Sequence, residues 1–294
     1  MSQPTAPGAG ASAYQVVRLP RVLTAEQATE LVGHKVPERE PDLRHATVAA
    51  DADTGAPVFA YLPLGDVASL RRAVLRMPFA GETLRADGTS NVSRTFGYRP
   101  RRPHLGREGC GHTRLWAEAP DEHSVVLAWA EHLQTMLAEV FPEQHRADRA
   151  TIAGSGVLPE WRLGETTWTS GVINKSSALP YHRDAFNFRV WTAMPVLRRH
   201  MRGGYLHLPE YDVTVESRDG WAVFFPGWEL VHGVTPMRPI KPGGYRYSVV
   251  YYALRGMKSC FEHAVETEYA LRARTERERG IAAKLAERKA TDDA

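Results

Sequence analysis

The feature that most constrains this chain is a change of texture near Glu165. From there, short runs rich in Thr, Val, Trp, Tyr and Phe follow one another: ETTWTSGVI, RVWTAMPVL, YLHL, VTVES, WAVFFP and YSVVYYAL. Turn residues separate them at Leu179-Pro180, Gly203-Gly204, Asp219-Gly220, Pro226-Gly227 and Gly243-Gly244. Many short strands punctuated by such turns indicate a sandwich or jelly roll. The expected fold class is α+β with a mainly β core.

Upstream, the periodicity is helical. Thr24 followed by Gln27 is a capping-box arrangement, and TAEQATELVG closes on Gly33, which predicts a short helix. ATVAA and PVFAYLPL flank the turn-rich DADTGA and predict a hairpin. Asp66 caps DVASLRRAVLRM, and Asp121 to Val140 carries Val126, Trp129, Leu133, Met136, Leu137 and Val140 at helical spacing. After Cys260 the chain is again helical in propensity and very highly charged. These signals divide the chain into a disordered leader (1–20), a mostly helical extension packed on the core (21–160), the β core (161–258) and a charged helix and tail (259–294).

A chain of 294 residues can bury one sizeable core with an extension, and a second full enzyme domain is not expected. Its two cysteines, Cys110 and Cys260, exclude a disulfide framework and a Cys-rich zinc module. A reducing, cytoplasmic setting is expected, in a bacterial or phage-infected cell. No apolar run approaches the roughly 18–20 residues of a membrane span, and MSQPTAPGAGASA lacks a signal pattern, so no membrane is expected; nor is an obligate protein partner evident. The net charge of +3 says little by itself. Its distribution says more: RTFGYRPRRPHLGR holds Arg94, Arg99, Arg101, Arg102 and Arg107 with Phe96 and Tyr98 interleaved and no acid. Such a loop could track phosphates and stack on bases, or it could be a connection whose arginines pair with acids elsewhere.

Chemistry concentrates in the β region. His182 and Asp184 are two residues apart, so on an extended segment both project to one side. His232, after WAVFFP and a Gly-containing turn, can complete a facial triad of two histidines and one carboxylate, which leaves positions open for a bidentate cosubstrate and dioxygen. H-x-D alone is near chance among twelve histidines. The context raises it, because Arg246 follows His232 by fourteen positions with Ser248 two further on. A guanidinium fork there can hold the far carboxylate of 2-oxoglutarate while its keto-acid end chelates iron(II). Asn174 could line the same site or satisfy its own loop. His200 and His207 are expected at the surface or core edge, Trp221, Phe224 and Phe225 in the core, and Glu210 and Asp212 exposed.

HRDAFN (182–187), HGVTP (232–236) and RYSVVYY (246–252), with SGVINKSSALPY before them and GGYLHLPEYDV between, resemble the TET/JBP group of nucleic-acid-base dioxygenases across roughly residues 165–255. The resemblance implies a double-stranded β-helix in which His182, Asp184 and His232 hold Fe(II) and Arg246 with Ser248 holds 2-oxoglutarate. It further implies that Asn187 hydrogen-bonds the target base and Tyr252 stacks on it. The implied reaction is hydroxylation of the 5-methyl group of 5-methylcytosine in DNA, with conversion of 2-oxoglutarate to succinate, on a base flipped from its duplex. Thymine hydroxylation is the alternative, since both bases present that methyl. A small-molecule or protein hydroxylase of the wider superfamily is a further one. Leu254 stands where animal TET enzymes have a base-contacting His, and their Cys-rich zinc region is absent. An Arg-aromatic-Gly segment before the β-helix in small microbial members suggests that Arg94 could reach the cosubstrate or base.

Overall fold

The computed structural model describes residues 14–79, 83–84 and 90–292. Strand β1 (Gln15–Leu19) and helix α1 (Ala25–Glu30) lead into the hairpin strands β2 (Thr47–Asp51) and β3 (Pro57–Pro63), then helix α2 (Ala68–Arg76). Strands β4 (Thr83–Leu84), β5 (Ser90–Arg99) and β6 (Gly111–His112) precede helices α3 (Arg114–Glu118), α4 (Pro120–Val140) and α5 (Pro142–Ala153). The β region holds β7 (Ser170–Lys175), β8 (Thr192–Arg199), β9 (Met201–Gly203), β10 (Leu206–Leu208), β11 (Val213–Val215) and β12 (Trp221–Phe225). It closes with β13 (Gly233–Val234), β14 (Met237–Pro239) and β15 (Tyr245–Tyr252), before the long helix α6 (His263–Asp292).

A large sheet runs in the order β1-β2-β3-β12-β8-β15-β7-β5-β4, with β6 paired to β5, and faces a small sheet β11-β10-β13. This is the double-stranded β-helix. Its interior is filled by Phe59, Tyr61, Met194, Val196, Val223 and Phe225 from the large sheet and Leu206, Leu208, Val213 and Val215 from the small one. The opposite face of the large sheet, with Phe96, Ile173, Val249 and Tyr251, packs on Val126, Leu133 and Leu137 of α4. The Tyr251 hydroxyl donates to the Val126 carbonyl at 2.8 Å, which fixes this layer in depth.

The Thr24 box forms as read: its hydroxyl accepts from Gln27 N–H while the Gln27 side chain accepts from Thr24 N–H. The predicted hairpin is β2–β3, and the stripe of α4 is buried through Val126, Trp129, Leu133 and Leu137.

Three expectations change. The region 21–160 is not mostly a helical layer, because β2, β3 and β5 belong to the same sheet as β7, β8, β12 and β15. Every residue of β2 is buried, so it lacks the polar alternation that marks a strand in sequence. Of the supposed leader, Gln15–Leu19 is a strand pairing parallel to Thr47–Asp51, and residues 1–13 lie outside the described residues. The basic stretch from Arg94 begins as strand β5, not loop.

Cys110 and Cys260 are disulfide-bonded, with Cα atoms 5.8 Å apart, which the sequence reading did not anticipate across 150 residues. They pack with Val157, Trp161 and Met257 beneath Phe188 and Leu254. No helix among the described residues is long and apolar enough to cross a membrane.

Candidate active site

Backbone pairing brings the distant candidates together. His182 and His232 form an antiparallel bridge, N–H to carbonyl in both directions at 2.9 and 3.0 Å, and Asp184 N–H donates to the Gly227 carbonyl at 2.9 Å. Ligand atoms of His182, Asp184 and His232 then lie within 4.8 Å of one another. His182 Nδ1 sits 2.8 Å from the Pro180 carbonyl and His232 Nδ1 3.0 Å from that of Leu230. A carbonyl can only accept, so each Nδ1 carries the proton and each Nε2 keeps its lone pair. That tautomer is the one a metal-binding imidazole requires. Burial, with help from His182, pushes His232 well below its ordinary pKa and keeps it neutral. Burial pushes the Asp184 carboxyl up, partly opposed by His182. A cation among the three would reverse that rise, and two neutral imidazoles with one carboxylate suit iron(II).

The intervening Arg183 points away and braces the segment. It donates to the Thr29 hydroxyl at 2.6 Å, the Ala25 carbonyl at 2.9 Å and Glu210 at 3.1 Å. Glu210 is therefore fully buried, contrary to the expectation of exposure, because its partner comes from the His-x-Asp segment. His207 is also buried, beside the Tyr181 hydroxyl at 2.7 Å and Arg39. Gly227 has a local steric role: a Cβ there would lie 2.5 Å from Asp184 Oδ2.

Strand parity separates the remaining candidates. Residues paired in register share a face, so Asn174 opposite Ser248, and Arg246 and Tyr252 at even spacing from it, all belong to the interior face. Arg246 is 0% exposed, and its Nε and Nη2 have no hydrogen-bond partner among the described residues. Burial and the neighbouring Arg198 push its pKa down to about 9. Removing an unpaired charge from water costs several kcal/mol, so this guanidinium fits a ligand carboxylate. Arg198, by contrast, spends its donors on the carbonyls of Glu216, Ser217, Met201 and Gly203.

Arg94 does not join them. It is paired with Ile173, which is paired with Val249, so it lies on the helix-facing side of the sheet. There it bonds Glu118 and the Pro78 carbonyl. Arg101 likewise pairs with Glu266. From this basic segment it is Arg102 whose charge acts on Tyr252: burial and Asp184 raise the Tyr252 hydroxyl's pKa, and Arg102 opposes them.

Asn187 completes the mouth. It is nearly buried, its N–H donates to the Asp184 carbonyl at 3.0 Å, and it bridges Leu254. An open pocket of about 450 Å³ adjoins Asp184 and Asn187 and is lined by Arg189, Trp228 and Arg255. The Arg189 guanidinium sits 5.2 Å from the Trp228 ring centre, and Trp228 Nε1 is buried without a partner among the described residues. The sequence reading missed these three. Trp228 follows the Pro226-Gly227 turn that presents His232, which was the available signal.

No protein-family model matches the chain. Over 145 residues, 49% of this chain, it is 30% identical to the bifunctional helicase and thymine dioxygenase JBP2 of Trypanosoma brucei brucei (strain 927/4 GUTat10.1), of whose length it spans 13%. Its fold matches NgTET1 in complex with 5mC DNA with TM-score 0.55 and 15% identity, covering 83% of this chain and 94% of that one. A 2OG-Fe(II) oxygenase family oxidoreductase from Burkholderia pseudomallei matches with TM-score 0.44 and 13% identity, over 83% and 97%. In sequence the chain is thus similar to part of a thymine dioxygenase, and in fold it is similar to NgTET1.

Proposed function

We propose that the chain is an Fe(II)- and 2-oxoglutarate-dependent dioxygenase that hydroxylates the 5-methyl group of 5-methylcytosine in DNA. The observation that carries the cosubstrate is the buried Arg246 on the interior face of β15, whose Nε and Nη2 lack partners among the described residues. In this reading His182 Nε2, Asp184 and His232 Nε2 hold iron. Arg246 and the Ser248 hydroxyl hold the far carboxylate of 2-oxoglutarate, with Asn174 opposite Ser248 lining the same floor. Iron with 2-oxoglutarate and dioxygen supplies the oxidising power for C–H hydroxylation and yields succinate and carbon dioxide. The protein's own part is to orient and exclude: Asn187 offers a carboxamide to the hydrogen-bonding edge of the base and Tyr252 an aromatic face, and a flipped base held between them excludes water from the pocket. Arg102, through its charge at Tyr252, attracts the phosphate backbone toward the mouth.

The similarity to a thymine dioxygenase favours a second reading in which the methyl belongs to thymine. The side chain of Leu254, bridged to Asn187, has no donor or acceptor, so in either reading the Asn187 carboxamide meets the edge that distinguishes the two bases.

Incubation with iron(II), 2-oxoglutarate and matched oligonucleotides carrying 5-methylcytosine or thymine, followed by nucleoside mass spectrometry, separates the readings. Hydroxymethylcytosine is expected, and oxidation of neither base would overturn both. Asn187→Ala should impair base oxidation more than uncoupled 2-oxoglutarate turnover. DNA affinity should fall as salt rises, because phosphate contacts release counterions.

A further inference from the structure

Within the HRDAFN segment, two residues after Asp184 and one before Asn187, Phe186 is 74% exposed. Single exposed aromatics are common on protein surfaces and need no explanation by themselves. This one differs in being held rigidly at the mouth. Its carbonyl accepts from Arg255 N–H at 2.9 Å, and the residues around it are tied down by Ala185 N–H to Arg183, Asn187 N–H to Asp184 and Phe188 N–H to Ala253, all at 2.8–3.0 Å. The Arg255 side chain returns to the Ala185 carbonyl and closes the loop. The ring therefore projects from a fixed platform.

Beyond Asp184, the charge bordering the loop is basic. Arg255 and Arg189 flank the loop, and among the described residues neither forms a salt bridge with an acid, whereas Arg94, Arg101 and Arg183 all do. An exposed ring on a loop bordered by two arginines without ion pairs, its sequence neighbours Ala185 and Asn187 lining a pocket that reaches Asp184, suits the surface of a nucleic-acid duplex. Phosphates can meet the arginines while the ring meets the base stack.

We infer that Phe186 is a wedge that enters the duplex where the target base leaves it, with Arg189 and Arg255 gripping the flanking phosphates. The inference rests on the proposed nucleic-acid substrate and adds to it how the base is extruded. Flipping a base loses stacking and pairing, and an inserted aromatic recovers part of that loss by stacking on the neighbours left behind. A single strand has no such gap to fill. The wedge should therefore matter for duplex and not for single-stranded substrate.

The test compares kcat/KM on a 5-methylcytosine oligonucleotide as single strand and as duplex, for the wild type, Phe186→Ala and Phe186→Trp. Phe186→Ala should lower the duplex-to-single-strand ratio ten-fold or more, and Phe186→Trp should restore most of it. A 2-aminopurine placed opposite the target should brighten on binding the wild type and brighten less with Phe186→Ala. An unchanged ratio, with the wild type active on both substrates, overturns the wedge and leaves the substrate assignment standing. Absence of wild-type oxidation on every nucleic acid tested overturns both.

Discussion

Two arginines on the same sheet, Arg94 on β5 and Arg246 on β15, differ by which face they occupy. Arg94 lies toward the helices, where Glu118 and the Pro78 carbonyl satisfy it. Arg246 lies toward the interior, fully buried, with two nitrogens unpartnered. The helix-facing side is otherwise a packed apolar layer of Phe96, Ile173, Val249 and Tyr251, where the buried Tyr251 hydroxyl donates to the Val126 carbonyl. The interior side keeps Arg246, Ser248, Asn174 and Tyr252 at even spacing and leaves the strongest of them unsatisfied. A satisfied buried arginine is structural, whereas an unsatisfied one is a standing cost that only a ligand offsets.

That contrast breaks most easily at the triad and at Arg246. His182→Ala, Asp184→Ala or His232→Ala should abolish succinate formation, and a variant that retained wild-type turnover would remove the metal assignment. Arg246→Met should cut turnover at fixed 2-oxoglutarate by at least about 100-fold, equivalent to roughly 3 kcal/mol for a charge-assisted bidentate contact. It should also leave the fold as stable or more so, because an uncompensated charge has gone. Thermal melting without cosubstrate reads the second effect, and marked destabilisation would mean that Arg246 is structural after all.

Gly227 sharpens the comparison more locally. The Gly227→Ala methyl would meet Asp184 Oδ2 at 2.5 Å and Thr192 Oγ1 at 3.3 Å, so the carboxylate must turn. Iron affinity should fall about 10- to 100-fold, as when the support of a metal ligand is lost, while 2-oxoglutarate turnover at saturating iron recovers in part. Iron titration followed by succinate release checks it, and an unchanged iron requirement would show that Asp184 does not need its present position.

How far this was legible follows from the same parity. Spacing could put His182 with Asp184 and Arg246 with Ser248 on one face, because H-x-D and R-x-S each do so wherever the strand lies, while joining the two pairs with His232 rested on motif order and the family resemblance. Arg94 could not be placed that way. Its face depends on the register of β5 against β7, a pairing between residues about eighty apart that no local pattern encodes. Arginines within SNVSRTFGYR also hid the alternation Val92, Arg94, Phe96, Tyr98 that marks it as a strand. Glu210 was misplaced for a related reason: its burial depends on Arg183, whose outward direction is visible only once α1 is in position. The Cys110–Cys260 bond and the Trp228 pocket are likewise tertiary facts.

On the helical side, Asp148 of α5 offers a smaller, pH-dependent effect. It is fully buried, accepts from Trp191 N–H at 3.0 Å and from Gln144 at 2.7 Å, and burial outweighs these bonds to raise its pKa from 3.8 to about 6. The folded state therefore binds more protons than the unfolded one between about pH 4 and pH 6, so this group's contribution to stability is greatest below pH 4 and declines until pH 6. Asp148→Asn should remove that decline. The variant's stability relative to wild type should rise by about 1–3 kcal/mol from pH 4 to pH 7 in denaturant melts. A difference that is flat with pH would place the carboxyl at an ordinary pKa.

The smallest effect closes the contrast with Arg246. Arg94 and Glu118 are a partly buried pair, 14% and 27% exposed at their side chains. Truncating one partner strands the other, and the coupling in a double-mutant cycle of Arg94→Met with Glu118→Gln should be about 1 kcal/mol. Turnover of 2-oxoglutarate by Arg94→Met should change less than two-fold, because the side chain lies on the far face of the sheet from Arg246. A rise of ten-fold or more in the 2-oxoglutarate concentration needed for half-maximal turnover would mean that the charge of Arg94 is felt through the sheet. Face parity would then fail as the rule that separates structural from functional arginines in this fold.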